Sequence, residues 1–176
     1  MYRNHPVALR INMTSQTLQK VDHSLLKAHQ LVIISLNILA FILNLPVLAA
    51  FVALVMGIGS ALKIPGFGFV YKYLLKPRGW MKPDVLDDNP EPHRFAQLLG
   101  FVFMAAGSGA LFLGASALGW GLVWLVAALA GLNAFGGFCV GCAVYYWLSR
   151  FSLPGFNKQP PAGTFPGMKP KVGASR

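Results

Sequence analysis

Two long stretches without a charged side chain constrain the fold of this chain more than any other feature. They cover residues 31–62 and 95–149. As single helices they would measure roughly 48 Å and 82 Å, whereas the hydrocarbon core of a bilayer is about 30 Å thick. Each stretch must therefore fold back once, which predicts two helical hairpins.

The composition agrees with a membrane environment. Hydrophobic residues make up 55% of the 176 residues and charged residues only 11%, and the mean hydropathy is +0.55. A soluble domain of this length and composition would have too little polar surface. We therefore expect an all-α membrane protein with four transmembrane helices.

Turn-forming residues provide one break in each stretch. Asn44 and Pro46 mark the first break, because proline lacks an N–H and disfavours helical geometry in the residue before it. The second is placed at Leu118-Gly119-Trp120-Gly121. The predicted spans are residues 28–44, 46–63, 96–117 and 121–148.

The basic residues all lie outside the two uncharged stretches. Four precede the first hairpin, six lie between the hairpins and five follow the second. Because loops rich in Lys and Arg stay on the cytoplasmic side, residues 1–27, the loop 64–95 and the tail 149–176 are predicted to be cytoplasmic. The net charge of +10 then reflects topology and attraction to anionic lipid, and no nucleic acid partner is expected. The tail, rich in Pro and Gly, is expected to be mobile.

The central loop is predicted to contain a second membrane-associated element. Residues 66–76 mix aromatic, aliphatic and basic side chains, in the pattern of an amphipathic helix that lies in the membrane interface. At the mouth of the third span, Arg94 and Gln97 could bind a lipid phosphate or a small anion, or Arg94 could anchor the helix end. The predicted lipid or anion contacts are Lys72, Lys76, Arg78, Arg94 and Gln97.

Small residues at four-residue spacing predict close helix packing in the second hairpin. Ala106, Ala110 and Gly114 form one such ridge in the third span, and Gly137 and Gly141 form another in the fourth. Ridges of this kind let two helices approach closely in a membrane.

Cys139 and Cys142 form the only sequence motif that could carry out a chemical reaction. It is a C-x-x-C that is predicted to lie inside the fourth span. Structural zinc needs about four ligands, and the sequence shows no second cysteine pair or neighbouring histidine, so no metal is predicted. Dithiol redox chemistry, persulfide handling and simple packing remain as alternatives. A continuous helix would bury the thiols roughly 12–16 Å below Arg150, where a thiol reacts poorly.

The sequence contains no recognisable catalytic motif of a soluble enzyme. Gly66-Phe67-Gly68 lacks the third glycine of a dinucleotide fingerprint, and no phosphate-binding, zinc-protease or serine-hydrolase motif occurs. No nucleophile–base pair can be assembled from sequence neighbours. We therefore expect no conventional soluble-type catalysis, and the sequence identifies no cofactor.

Three segments resemble one bacterial family of membrane proteins. They are GFGFVYKYLLKPR (residues 66–78), DNPEPHRFAQLLG (88–100) and GFCVGCAVY (137–145). They resemble the domain-of-unknown-function 4395 family over residues 21–150. The resemblance implies four helices in a bacterial cytoplasmic membrane. Its members are often encoded beside thioredoxin-like and rhodanese-like proteins, which implies a thiol or sulfur connection for the two cysteines.

Two hypotheses about function follow. In the first, the chain is an accessory or structural subunit of a larger membrane assembly, and its cysteines are packed. In the second, Cys139 and Cys142 exchange with a cytoplasmic thioredoxin-like or rhodanese-like partner. Members of the family often have an acidic residue after the second cysteine, where this chain has Ala143, and this departure favours the first hypothesis.

Overall fold

A computed structural model describes residues 18–151 and 153–170. Residues 1–17 of the predicted N-terminal segment, and residues 152 and 171–176 of the predicted tail, lie outside the described residues. The elements, in chain order, are β1 (Gln19–Asp22), α1 (His23–Ile42), α2 (Pro46–Ala61), α3 (Gly68–Val70), a π-helical turn (Tyr71–Leu75), β2 (Val85–Asp88), α4 (Pro90–Phe112), α5 (Ser116–Gly136) and α6 (Val140–Arg150).

Four long helices pack around one apolar core. α1 contacts α2, α2 contacts α4, α4 contacts α5, and α5 contacts α1, so the four form a closed bundle. Val52, Met104 and Val123 are fully buried at its centre. α1, α4 and α5 are long and apolar enough to cross a membrane, and α2 is an apolar helix of 16 residues. The chain is therefore a mostly helical protein with at least three candidate membrane spans.

The turn of the first hairpin lies where the sequence predicts it. α1 ends before Asn44, which has a φ of +48°, and α2 begins at Pro46, the position where a missing N–H costs nothing. Backbone N–H groups of Leu43 and Leu45 donate to the carbonyls of Leu39 and Ala40. This turn caps carbonyls that the end of α1 leaves free.

The turn of the second hairpin differs from the prediction. It lies at residues 113–115 and is centred on Gly114, which has a φ of +82°. Gly119 and Gly121, predicted to break the chain, lie inside α5. The difference arises because Gly119 is a packing residue: its Cα is so close to α4 that a Cβ there would lie 2.9 Å from the Gly107 carbonyl oxygen and 2.5 Å from Leu111.

The predicted packing ridge of the third span does not mediate the α4–α5 contact. The Ala106 side chain is exposed and that of Ala110 is half-buried, while Gly114 belongs to the turn. The buried face of α4 lies one residue further on and includes Gly107 and Ser108. The spacing of small residues did not identify which face of the helix is buried.

The predicted fourth span is not one helix. α5 ends at Gly136, Gly137 takes the left-handed conformation with a φ of +65°, and a new helix, α6, begins after Cys139. The C-x-x-C motif therefore lies at a helix N-terminus and not in the middle of a span, and Gly137 is a helix cap and not a packing residue. Gly141 does permit close packing, since a Cβ there would lie 2.6 Å from that of Ala96 on α4.

The remaining elements gather at the end of the bundle opposite the two hairpin turns. β1 and β2 form a two-stranded antiparallel sheet in which Gln19 is paired with Asp88 and Asp22 with Val85. The all-α prediction misses this sheet. Asp22 also caps α1 by accepting a hydrogen bond from the Ser24 N–H at 3.0 Å. Residues 66–76, predicted to form an interfacial helix, contain α3 and the π-helical turn, and their position in a membrane interface stays a prediction.

Residues 153–170 of the tail fold back over this end of the protein. The Phe156 ring packs against Phe95 on α4 and Tyr145 on α6. Lys158 lies 3.7 Å from Glu91, and Lys169 forms an ion pair with Asp84. These contacts bring the end of the described tail to the C-x-x-C motif.

Candidate functional site

Cys139 and Cys142 form a disulfide at the start of α6. Cys139 is the N-cap residue, and its Sγ accepts a hydrogen bond from the Cys142 N–H at 3.2 Å. The two side chains are only 6% and 3% exposed. Peptide N–H groups at a helix N-terminus stabilise negative charge. The disulfide therefore occupies a position that favours the thiolate form of Cys139 after reduction.

His93 connects this disulfide to a buried carboxylate. Its Nδ1 lies 3.5 Å from the Cys142 Sγ, and its Nε2 lies 2.9 Å from Oδ2 of Asp88. The expectation that no histidine lies near the cysteines is wrong for the folded chain, because His93 contacts Cys142. His93 lies in the first turn of α4, which packs against α6 and brings together residues that are 49 positions apart in the chain.

Asp88 is held in its ionised form by several groups. Burial by itself would raise its pKa, but the imidazoles of His23 and His93 and the Asn89 N–H outweigh burial and hold the pKa well below its usual range. The Asn89 N–H donates to Oδ1 at 2.8 Å. The Nε2 of His23 lies 3.2 Å from Oδ2, although it is off the direction of a hydrogen bond. His93 is thus oriented by a fixed negative charge.

The tail closes the site from one side. The Cys139 N–H donates to the Gly167 carbonyl at 2.7 Å, and the Lys169 N–H donates to the Gly137 carbonyl at 2.9 Å. Under this strap, residues 167–169, lies a cavity of about 20 Å³, lined by Asp88, His93, Asn133, both cysteines and Tyr146 among others. Its volume suits about one water molecule.

Among the residues that the structure describes, two groups of side chains have the spacing of metal ligands. His93, Cys139 and Cys142 form one, and His23, Asp88 and His93 form the other. The disulfide removes both sulfurs from the first group, because only thiolates bind zinc well. In the second group the Asp88 carboxylate lies within ion-pair distance of both imidazoles. We assign a metal to neither.

The residues predicted to contact lipid or an anion do not converge on one site. Lys72, Lys76 and Arg78 are exposed around and after the π-helical turn, and Arg94 is exposed at the start of α4. The Nε2 of Gln97 donates to the carbonyls of Met56 and Ile64, at 3.2 and 3.1 Å. Gln97 therefore connects α4 to the end of α2, and the four basic side chains remain predicted lipid contacts.

Sequence reasoning missed Asp88, His93 and the tail strap. Asp88 and His93 both lie in the segment DNPEPHR, which is part of the resemblance to the family. The sequence therefore marked this segment, but it did not indicate what these two residues do. The strap has a weaker signal: Gly167 has a φ of +87°, and a Cβ there would lie 2.8 Å from both the Cys139 carbonyl oxygen and the Ala143 Cβ. Ala143 is therefore the surface on which the strap rests.

Comparison with known proteins gives one match. A family model described as a domain of unknown function (DUF4395) matches residues 21–150. Neither the curated proteins nor the solved structures include a match to this chain. The matched region includes the four-helix bundle, β2, both cysteines and His93, and it ends before the tail.

Proposed function

Since this chain belongs to the DUF4395 family, whose description names no activity, we propose from its own chemistry that it is a membrane thiol–disulfide oxidoreductase. The proposal assigns the redox pair to Cys139 and Cys142. His93 is the general acid and base of the reaction, and Asp88 is the residue that positions it.

One observation carries the proposal: the disulfide begins a helix and lies beside a histidine–aspartate pair. A disulfide that only stabilises a fold needs neither a helix N-terminus nor a histidine–aspartate pair beside it. A disulfide that exchanges needs a stabilised leaving sulfur and a proton donor for it. The Cys142 N–H supports a thiolate at Cys139, and His93 can supply a proton to Cys142.

In the proposed reaction, a thiolate of a dithiol partner first attacks Cys139, whose sulfur does not contact His93 and lies at the helix N-cap. The bond between the two cysteines breaks as the bond from Cys139 to the partner forms. Cys142 leaves and takes a proton from Nδ1 of His93, whose ring Asp88 holds in place through Nε2. The second thiolate of the partner then releases Cys139. The partner is oxidised to a disulfide, and its two protons end on Cys139 and Cys142.

The proposed topology places this chemistry at the cytoplasmic face. The basic loop between α2 and α4 and the basic tail lie at the same end of the bundle as the disulfide, and Lys- and Arg-rich segments stay in the cytoplasm. We propose that α2 completes a set of four spans. Disulfides are rare in the cytoplasm, where those that form are usually catalytic or redox-sensing, so this topology supports a reactive pair.

Access to the disulfide requires movement of the strap. Both cysteines are buried beneath residues 167–169. The contacts that hold this strap against the rest of the protein include two backbone hydrogen bonds and the ion pair between Lys169 and Asp84. A small number of such bonds can open locally without unfolding the bundle. The proposed partner is a thioredoxin-like or rhodanese-like protein that displaces the strap as it docks.

The experiment is a redox titration of the purified protein in mixtures of reduced and oxidised dithiothreitol. The fraction of Cys139 and Cys142 that reacts with a maleimide is read by mass spectrometry. We expect a reversible two-electron transition in the folded protein. A disulfide that is reduced only after denaturation would contradict the proposal.

The accessory-subunit hypothesis belongs to another class and stays a prediction. It expects stable co-purification with other membrane subunits. It also expects that a variant with Cys139→Ala and Cys142→Ala assembles and works as the wild type does. The presence of His93 beside the disulfide supports the redox proposal over packed, inert cysteines.

A further inference from the structure

A second and much larger cavity lies on the helix-bundle side of the disulfide. Its volume is about 420 Å³, within the range of small-molecule sites, about 300–1,000 Å³. α1, α4, α5 and α6 contribute to its walls. Cys139 and His93 line both this cavity and the small one beneath the strap. The redox pair therefore lies between the two.

The cavity has a polar end and an apolar end. His29, Gln30, His93, Gln97 and Asn133 all line it, and each lies in the part of its helix that is closer to the disulfide. Deeper in the bundle the lining is apolar, with Ile33, Phe103, Leu125 and Val126 among others. A ligand that fits both ends has a compact polar head and an apolar tail.

His29 provides a hydrogen-bond donor at the polar end. Its Nδ1 accepts the Phe67 N–H at 3.1 Å, so the neutral ring carries its proton on Nε2. The side chain is only 6% exposed. Within residues 18–151 and 153–170, the hydrogen bond of the His29 ring is the one at Nδ1, and Nε2 has no partner. This N–H is therefore available to an acceptor oxygen on a ligand bound in the cavity.

We propose that this cavity binds a lipid-soluble quinone, which accepts two electrons from the dithiol of Cys139 and Cys142. The inference rests on the proposed thiol–disulfide function and names its second substrate. A quinone has two acceptor carbonyls on a flat ring and an apolar tail, which suits the two ends of the cavity. Nicotinamide and flavin nucleotides carry phosphates, and among the described lining residues there is no Lys or Arg to bind them.

The proposed reaction balances without another reactant. The Cys139 sulfur adds to a ring carbon of the quinone, and the Cys142 sulfur, deprotonated by Nδ1 of His93, then attacks the Cys139 sulfur. The disulfide forms as the carbon–sulfur bond breaks, and the electron pair of that bond remains on the ring. The two thiol protons end on the two ring oxygens, so the quinone becomes a hydroquinone. The His29 Nε2–H binds one of those oxygens.

The test uses full-length protein in lipid nanodiscs, reduced with dithiothreitol, freed of reductant and mixed anaerobically with decyl-ubiquinone. Quinone absorbance and cysteine alkylation are followed together. Ala130→Phe fills the cavity from α5, and Ala128→Phe adds the same ring on the exposed side of that helix. His29→Asn keeps an acceptor for the Phe67 N–H and removes the Nε2–H.

We expect one hydroquinone per disulfide formed in the wild type. Ala130→Phe should slow quinone reduction at least about tenfold, with the rate of disulfide reduction by dithiothreitol unchanged, while Ala128→Phe should match the wild type. His29→Asn should raise the quinone KM more than it lowers kcat. The unchanged dithiothreitol rate shows that the variants are folded.

Two kinds of result would overturn the quinone proposal. In the first, the Ala130→Phe variant reduces the quinone at the wild-type rate. In the second, the quinone fails to oxidise a protein whose disulfide is still reversibly reduced by dithiothreitol. In both cases the thiol-exchange function stands. Retention of a phospholipid that the quinone does not displace, read by native mass spectrometry, counts against it in the same way. A protein that does not cycle with dithiothreitol overturns both proposals.

Discussion

Nδ1 of His93 lies 3.5 Å from the sulfur of Cys142, and the other ring nitrogen of His93 lies 2.9 Å from Asp88. In the proposed mechanism this relationship couples breaking of the S–S bond to a proton donor. It also yields a direct kinetic test, since a second histidine contacts the same carboxylate.

His93→Gln should slow reduction of the disulfide by dithiothreitol. Loss of a general acid typically costs about 10²-fold or more in rate, and the pH dependence of the rate should flatten. His23→Gln is the matched control, because His23 contacts the same Asp88 oxygen but has no contact with either sulfur. Rates are measured by maleimide labelling at timed intervals. Equal rates in the two variants would remove His93 from the mechanism.

Asp88→Asn should change the response of the protein to acid. The pKa of Asp88 is lowered in the folded state, so the ionised carboxylate stabilises the fold above the unfolded value of about 3.9, and this contribution is lost as the pH falls through the folded-state pKa. The variant should be less stable near neutral pH, and the difference in Tm should shrink below about pH 4. Parallel Tm profiles of the two proteins would show that Asp88 contributes no such term.

Gly167→Ala should expose the disulfide. The positive φ and the close contacts of Gly167 with Cys139 and Ala143 leave no room for a methyl group, so the strap should shift away from the sulfurs. Gly163→Ala is the control, because Gly163 also has a positive φ, +72°, but no neighbour within 4 Å of the added carbon. Faster disulfide reduction in the Gly167 variant alone is the expected result. Equal reduction rates would mean that the strap does not limit access.

Gly119→Ala should destabilise the helix bundle. The added carbon would meet Leu111 at 2.5 Å and the Gly107 carbonyl oxygen at 2.9 Å, and overpacking of this kind costs about 1–3 kcal/mol. Gly121→Ala lies on the same helix in open space and should leave stability unchanged or slightly higher. Thermal unfolding in detergent separates the two variants. Equal loss of Tm in both would mean that α4 and α5 do not meet at Gly119.

The bundle was predictable because charge and apolar length are properties of local sequence. Residues 31–62 could only form a hairpin, and Asn44 with Pro46 fixed its turn. The second turn was misplaced because Gly119 and Gly114 look alike in the sequence, whereas one provides close packing and the other a left-handed turn. Only the position of the neighbouring helix distinguishes these two uses of glycine.

The site was less predictable because its parts are far apart in the chain. Gly137 could have indicated the end of α5, since glycine is the usual residue after a helix, but the apolar run continues through it and hides the break. The meeting of Cys142 with His93 depends on packing of α6 against α4. The strap depends on a tail whose composition resembles that of a disordered segment.

The most direct test of the central claim is differential alkylation of Cys139 and Cys142 in native membranes, before and after reductant, read by mass spectrometry. A reactive redox pair predicts that a substantial fraction is disulfide and becomes alkylatable upon reduction without denaturation. Two free thiols that label only after the protein is denatured would contradict the account and would leave the cysteines as packing residues.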